Sequence, residues 1–264
     1  MMTKLKAFLV HLGISLLIFG GLLYIIVFHW YPLPFFATDG GWQGIRIVAL
    51  VDIVLGPVLT LIVYKRGKPG LKFDLTVIAL VQAGALAWGT WVVHHQRPVL
   101  VVFAEDRYFT VANDQLALTG VDAKTLKTLG ATSPALVYAQ LPDNEQELDK
   151  VLLESVQTSR PLYLQGERYR SMDERGLATL RAQAVDLRSY AQDDPQWATT
   201  FNAFARRHDE AALLYLPIHC RYLQAFAAVE PKTGAVVEII NIKASKMRGA
   251  ASSNVVRLPR TSTQ

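Results

Sequence analysis

Three long apolar stretches dominate the first third of the chain. They cover residues 7–30, 44–64 and 73–93. Each contains about 20 or more mostly apolar residues, enough for a helix to cross a hydrocarbon core of roughly 30 Å. A water-soluble helix would carry a polar face with the period of the helix, and none of these stretches has one of useful width. The pattern therefore predicts an integral membrane protein with three N-terminal transmembrane α-helices.

Beyond residue 93, shorter segments replace the long apolar stretches. Runs rich in β-branched and aromatic residues predict strands at 99–103, 108–111, 213–218, 222–229 and 235–242. Capping residues followed by an apolar stripe predict helices that begin near Asp143, Ser171 and Asp194. These elements predict an extramembrane α+β domain with a small, mostly antiparallel sheet.

The change of pattern divides the chain into three parts. Residues 1–93 are predicted to form a three-helix transmembrane anchor, and residues 94–243 an α+β domain outside the membrane. Residues 244–264 are small, polar and basic, and this composition predicts a disordered tail.

The positive charge is concentrated in the membrane part. Residues 1–93 hold seven Lys or Arg against three Asp, whereas residues 94–264 hold twenty Lys or Arg against nineteen acidic residues. The domain is thus nearly neutral, which argues against a nucleic-acid partner. Six basic residues precede the first stretch or lie between the second and third: Lys4, Lys6, Lys65, Arg66, Lys68 and Lys72.

These basic residues predict the orientation of the chain. The link between the first and second stretches, residues 31–43, contains no Lys or Arg. The positive-inside rule then places the N-terminus and the 65–72 link in the cytoplasm. After three crossings the C-terminal domain lies on the opposite side, which is the periplasm for a bacterial inner membrane.

Several residues within or beside the apolar stretches are candidates for a polar or close-packed site. They are Ser15, Asp52, Gly56, Pro57, Thr60, Asp74 and Gln82. Asp52, Gly56 and Thr60 recur every four residues and so share one helix face, while Pro57 removes a helical hydrogen bond beside them. Asp52 has two interpretations: a hydrogen bond to Gln82 or Ser15 on a neighbouring helix, or a proton or ion relay.

No familiar catalytic pattern occurs in the sequence. It contains no phosphate-binding loop, no GxSxG and no HExxH, and its one cysteine, Cys220, excludes an internal disulfide or a cysteine metal cluster. We therefore expect no enzymatic activity, no catalytic residues, no cofactor and no metal site.

Short motifs in the first 110 residues carry a family resemblance. They include residues 6–11 with Ser15, residues 30–32, and residues 97–99 with Phe103 and Asp106-Arg107. The most specific is V-D-I-V-L-G-P-V-L-T at 51–60 followed by L-K-F-D-L-T-V-I-A-L at 71–80. Together these segments resemble the TfpX/TfpZ family of type IV pilin accessory proteins.

The resemblance implies a role and a partner. Members of that family help to assemble or tune a type IV pilus, so the chain is expected to be a non-enzymatic inner-membrane accessory protein. Its expected partners are the membrane-embedded pilin or the pilus assembly machinery, together with the lipid bilayer. The oligomeric state is left open. The alternative is a small membrane sensor or transporter component that uses the buried Asp52.

Overall fold

Three helices long and apolar enough to cross a membrane form the N-terminal part of the computed structural model, which describes residues 3–129, 133–192 and 194–242. We call Lys4–Trp30 the first span, Gly41–Val63 the second and Leu71–His95 the third. Each begins two or three residues before the apolar stretch that predicted it, because a helix continues into flanking polar residues. The prediction of three membrane helices is confirmed. The tail predicted over 244–264 lies outside the described residues.

The first two spans each contain a π-helical segment. The first consists of α1 (Lys4–Ile25) followed by a π-helical end, Ile26–Trp30. The second consists of α2 (Gly41–Ala49), a π-helical middle, Leu50–Leu55, and α3 (Gly56–Val63). The third span is the single helix α4 (Leu71–His95).

The π-helical middle of the second span lies directly before a proline. The Gly56 N–H donates to the carbonyl of Val51, five residues back. Pro57 has no N–H to donate to Ile53, so the regular α-helical bonding pattern cannot pass through this point. The disturbance predicted at Pro57 therefore takes the form of a wider helical turn, which includes Asp52.

The domain contains a mixed sheet with six described helices. Its strands are β1 (Pro98–Ala104), β2 (Arg107–Ala112), β3 (Ala135–Ala139), β4 (Tyr169–Ser171), β5 (Leu214–His219), β6 (Gln224–Val229) and β7 (Val236–Ile240). The helices are α5 (Leu116–Thr119), α6 (Ala123–Leu129), α7 (Glu145–Gln157), α8 (Glu174–Ala182), α9 (Leu187–Gln192) and α10 (Pro195–Ala205). Within the described residues the strand order is β4-β3-β1-β2-β5-β6-β7.

The pairing of the strands confirms the predicted fold class. Strands β1 and β2, β3 and β4, β5 and β6, and β6 and β7 pair antiparallel. Strand β1 pairs parallel with β3, and β2 pairs parallel with β5. The sheet is thus mixed and mostly antiparallel, and it includes two strands, β3 and β4, that the sequence pattern did not indicate.

Strand β1 lies at the centre of the domain core. All seven of its residues are buried, because apolar side chains cover both faces of the sheet at this strand. Val101 and Phe103 pack on one face with Tyr108. Leu100 and Val102 pack on the other face in a second buried cluster. The strand follows the third span after only two residues, so the sheet begins directly at the end of the membrane bundle.

Two of the predicted helix caps were wrong in their positions. Helix α7 is capped by Asn144, whose side chain accepts from the N–H groups of Gln146 and Glu147, and the predicted capping residue, Asp143, pairs with Arg175 at 2.5 Å. Helix α8 is capped by Asp173, since the predicted Ser171 belongs to β4 and its hydroxyl donates to the carbonyl of Leu129. In each case the cap lies one or two residues further along the chain.

Candidate functional site

Five polar side chains meet inside the membrane bundle. His11 and Ser15 come from the first span, Asp52 and Thr60 from the second, and Gln82 from the third. Gln82 Nε2 lies 2.5 Å from Asp52 Oδ1, and Ser15 Oγ lies 3.2 Å from the same oxygen. His11 Nε2 lies 3.0 Å from Gln82 Oε1, and His11 Nδ1 lies 2.6 Å from Thr60 Oγ1. We call these five residues the polar network.

The network contains both of the hydrogen bonds that the sequence suggested for Asp52. Gln82 and Ser15 each donate to its carboxyl group, so all three spans are tied together at this point. Asp52 and Ser15 are each only 1% exposed. The second carboxyl oxygen of Asp52, Oδ2, is buried and has no hydrogen-bond partner among the described residues. A buried carboxyl oxygen without a hydrogen-bond partner is rare in folded proteins.

His11 is the one network residue that was not among the candidate site residues of the sequence. It lies four residues before Ser15, so both side chains occupy one face of the first span. That spacing was the available signal, but a lone histidine near the end of an apolar helix does not reveal which neighbours it will contact. The contacts with Thr60 and Gln82 come from helices 49 and 71 residues away in sequence.

Gly56 explains how Gln82 reaches Asp52. A Cβ atom placed on Gly56 would overlap the Gln82 amide, whose Cδ would be only 2.5 Å away. Glycine is therefore required where the third span crosses the second. In contrast, a Cβ at Gly13, Gly20 or Gly84 would meet nothing within 4 Å in the described part of the chain. These other small residues of the spans do not mark helix contacts within the bundle.

The charged candidates lie at the end of the bundle opposite the sheet. Asp74 pairs with Lys68, with 2.6 Å between Nζ and Oδ2. The six basic residues used to predict the orientation are all exposed there: Lys4, Lys6, Lys65, Arg66, Lys68 and Lys72. The structure keeps Asp74 apart from the polar network, because it lies eight residues before Gln82, or about 12 Å along a helix.

A second buried acid, which the sequence did not suggest, joins the membrane bundle to the sheet. Asp39 lies in the link between the first and second spans and is 2% exposed. Its Oδ1 accepts from Thr110 Oγ1 at 2.5 Å and from the backbone N–H of Arg221 at 3.3 Å. Its Oδ2 accepts from the hydroxyl of Thr38 at 2.8 Å. Burial raises the pKa of Asp39, and these hydrogen bonds partly offset that rise.

Other contacts of the same link reinforce this joint. The Thr38 carbonyl accepts from the N–H of Tyr222, and Phe35 packs into the domain core with Val101 and Tyr108. At the end of the first span, the hydroxyl of Tyr31 donates to the carbonyl of Val93 at 2.8 Å. We call residues 31–40 the docking link. It ties the membrane helices to the sheet through both polar and apolar contacts.

The arrangement offers proton binding and helix packing but few means for covalent chemistry. In the described ranges, no group of three or more His, Cys, Asp or Glu side chains is placed to hold a metal ion. Cys220 is buried beside Asp39, and burial raises the pKa of its thiol, which keeps it in the unreactive protonated form.

Comparisons with known proteins give a family. No family model and no solved structure matches the chain. A serogroup I fimbrial assembly protein of Dichelobacter nodosus is 30% identical over 112 residues, which are 41% of this chain and 43% of the relative. The protein of serogroups C1 and C2 is 32% identical over 100 residues, or 37% of this chain and 76% of the relative. The serogroup E1 protein is 31% identical over 100 residues.

The extent of these matches differs between the relatives. The chain covers less than half the length of the serogroup I and E1 proteins, at 43% and 38%. It covers about three quarters of the protein of serogroups C1 and C2, with 32% identity. On that match, the chain belongs to the family of fimbrial assembly proteins.

Proposed function

We propose that this chain is an inner-membrane accessory protein that assists the assembly or dynamics of a type IV pilus by interacting with membrane-anchored pilin. The observation that carries the proposal is the 32% identity to a Dichelobacter nodosus fimbrial assembly protein of which the chain covers 76%. The resemblance of residues 51–60 and 71–80 to the TfpX/TfpZ family supports the more specific assignment to type IV pilin.

The architecture suits a partner that is itself partly embedded in the membrane. Before assembly, a fimbrial subunit in the inner membrane has a hydrophobic helix in the bilayer and a water-soluble head outside it. The three spans could contact the helix, and the sheet domain could contact the head. The docking link holds these two parts in a fixed relation through Asp39 and Phe35, so a subunit bound to both would be held in one orientation.

This function requires the sheet domain to lie in the periplasm. The exposed basic residues at the opposite end of the bundle, Lys65, Arg66 and Lys68 among them, support that orientation. Alkaline phosphatase, which is active only in the periplasm, should therefore be active when fused after Val111 and inactive when fused at Lys68. The reverse pattern would overturn the proposal, because the domain could not meet a periplasmic subunit head.

Complementation tests the function itself. In a strain that lacks this gene, we expect fewer surface pili and restoration by the full chain, with the pilin gene expressed normally in both. Pilus number and pilin level are measured by electron microscopy and immunoblot. Normal piliation in the deletion strain, with no other copy of the gene present, would contradict the proposal.

A sensor or transporter component is the second candidate, and the unbonded Oδ2 of Asp52 favours it. The two candidates differ in what they require of this carboxyl group. For the accessory protein, Asp52→Asn should keep both membrane abundance and piliation, because the amide oxygen still accepts from Gln82 and Ser15. Loss of function at normal abundance would instead favour a proton-coupled role of Asp52.

A further inference from the structure

The polar network has two positions where a proton can be gained or lost. Gln82 Nε2 donates to Asp52 Oδ1, so the amide must present its oxygen to His11. An amide oxygen only accepts, and His11 Nε2 therefore carries a proton. The two open positions are His11 Nδ1, which lies 2.6 Å from Thr60 Oγ1, and Asp52 Oδ2.

Depending on which of these two positions hold a proton, the network has one of three possible net charges. With both empty the network is an anion, because Asp52 is a carboxylate and His11 is neutral. With both occupied it is a cation, because His11 is charged and Asp52 is neutral. With one proton it has no net charge, whichever of the two residues holds that proton. A net charge inside the hydrocarbon core is costly, so the one-proton state is favoured.

Neighbouring groups do not change this balance. Asp74 on the third span is already paired with Lys68 at the bundle end. Lys6 on the first span and Arg46 on the second are exposed and lie five and six residues from the network. The remaining network partners, Ser15, Thr60 and Gln82, are uncharged at any ordinary pH.

We propose that the polar network is a binding site for a single proton, shared between Asp52 and His11. Gln82 holds Asp52 and His11 in place by hydrogen bonds. It does not transfer the proton between them, because a side-chain amide is neither an acid nor a base near neutral pH. At the sheet end of the bundle the apolar side chains of Ile26, Ile45 and Val93 are buried against each other. This apolar layer separates the network from the sheet end of the bundle, so the site holds its proton between the helices.

The site couples the protonation of two residues on different helices. The proton lies on His11 or on Asp52 but not on both, so the charge of one residue sets the charge of the other. Replacing either residue with a neutral one leaves the other in its neutral form. This inference concerns the chemistry of the bundle and holds whether or not the chain acts on pilin.

The experiment uses the full chain in phospholipid bilayers, with ¹⁵N-labelled histidine. Nitrogen NMR reports whether His11 is neutral or imidazolium, and infrared difference spectra against Asp52→Asn report whether Asp52 is a protonated acid. Over the pH range in which the wild-type chain stays folded, we expect one of these two protonation signals and not both. Asp52→Asn should lose any imidazolium signal of His11, and His11→Gln should show the protonated-acid band of Asp52.

Two results would overturn the proposal. One is an ionised Asp52 facing a neutral His11 in the wild type, which means that the network holds no proton. The other is a protonated Asp52 together with an imidazolium at His11, which means that it holds two. Asp74→Asn is the matched control, since it removes a carboxyl group from the third span outside the network and should leave both signals unchanged.

Discussion

Gly56→Ala isolates the contact on which the polar network depends. The added Cβ would overlap the Gln82 amide, so Gln82 must leave its position between Asp52 and His11. Overpacking costs about 1–3 kcal/mol. The two lost interhelical hydrogen bonds cost roughly 0.6 kcal/mol each. Replacing glycine by alanine in a helix stabilises the folded state by about 0.5–1 kcal/mol.

The expected net effect is a loss of about 1–4 kcal/mol in the free energy of unfolding. It is measured by denaturant unfolding of the purified chain in lipid bicelles and by the steady-state level in membranes. Gly13→Ala and Gly84→Ala are the matched controls, because a Cβ at either position meets nothing within 4 Å among the described residues. Both controls should be neutral or slightly stabilising.

A double-mutant cycle then tests the physical cause. Gln82→Ala removes the side chain that a Cβ on Gly56 would overlap. In that background, Gly56→Ala should therefore lower the free energy of unfolding by less than about 0.5 kcal/mol. The reasoning would be refuted if Gly56→Ala were as stable as Gly13→Ala. It would also be refuted if the cost of Gly56→Ala were undiminished without the Gln82 side chain.

Three further predictions concern the docking link and its neighbour. Asp39→Ala should lower the free energy of unfolding by about 1–3 kcal/mol, because Thr110 and Arg221 lose a buried acceptor. Asp39→Asn keeps an acceptor oxygen and should cost less. Denaturant unfolding followed by tryptophan fluorescence measures the stability of both variants. Because burial raises the folded-state pKa of Asp39 above its ordinary 3.8, the stability contributed by this residue should fall as pH rises from 3.8 to the raised value. The same pH titration of Asp39→Asn should lack that fall, and an unchanged slope would contradict the assignment. The buried thiol of Cys220 should react with a maleimide only after denaturation, and rapid labelling of the folded chain would show that the link does not cover it.

The elements found from the sequence are those with a strong local signal. The three spans were found because about 20 consecutive apolar residues have few alternatives to a membrane helix. Strand β1 was found because its residues are buried on both faces and so form an uninterrupted apolar run. Strand β4 has three residues, of which Arg170 and Ser171 are exposed, and so gives no alternating pattern.

The site was only partly readable for a related reason. The stripe of Asp52, Gly56 and Thr60 repeats on one helix, and its partners Ser15 and Gln82 were candidates because polar residues are rare in such helices. The role of His11 depends on how three helices pack. Asp39 lies in a link with no periodic pattern, and its partner Thr110 is 71 residues away in sequence. Contacts of this kind depend on the tertiary fold, and no pattern in the local sequence indicates them.

The most direct test of the central claim is photo-crosslinking in living cells. A photoreactive amino acid is placed at Leu17 on the first span and, separately, at Val156 on α7, since these side chains are 79% and 77% exposed. Further exposed positions of the spans and of the domain are then scanned, and adducts are identified by mass spectrometry, with unilluminated cells and a pilin-deletion strain as controls. The account predicts light-dependent adducts with the fimbrial subunit from exposed positions, with those in the domain dominant. Piliation supported by every probe variant, with no adduct to the subunit from any exposed position, would contradict it.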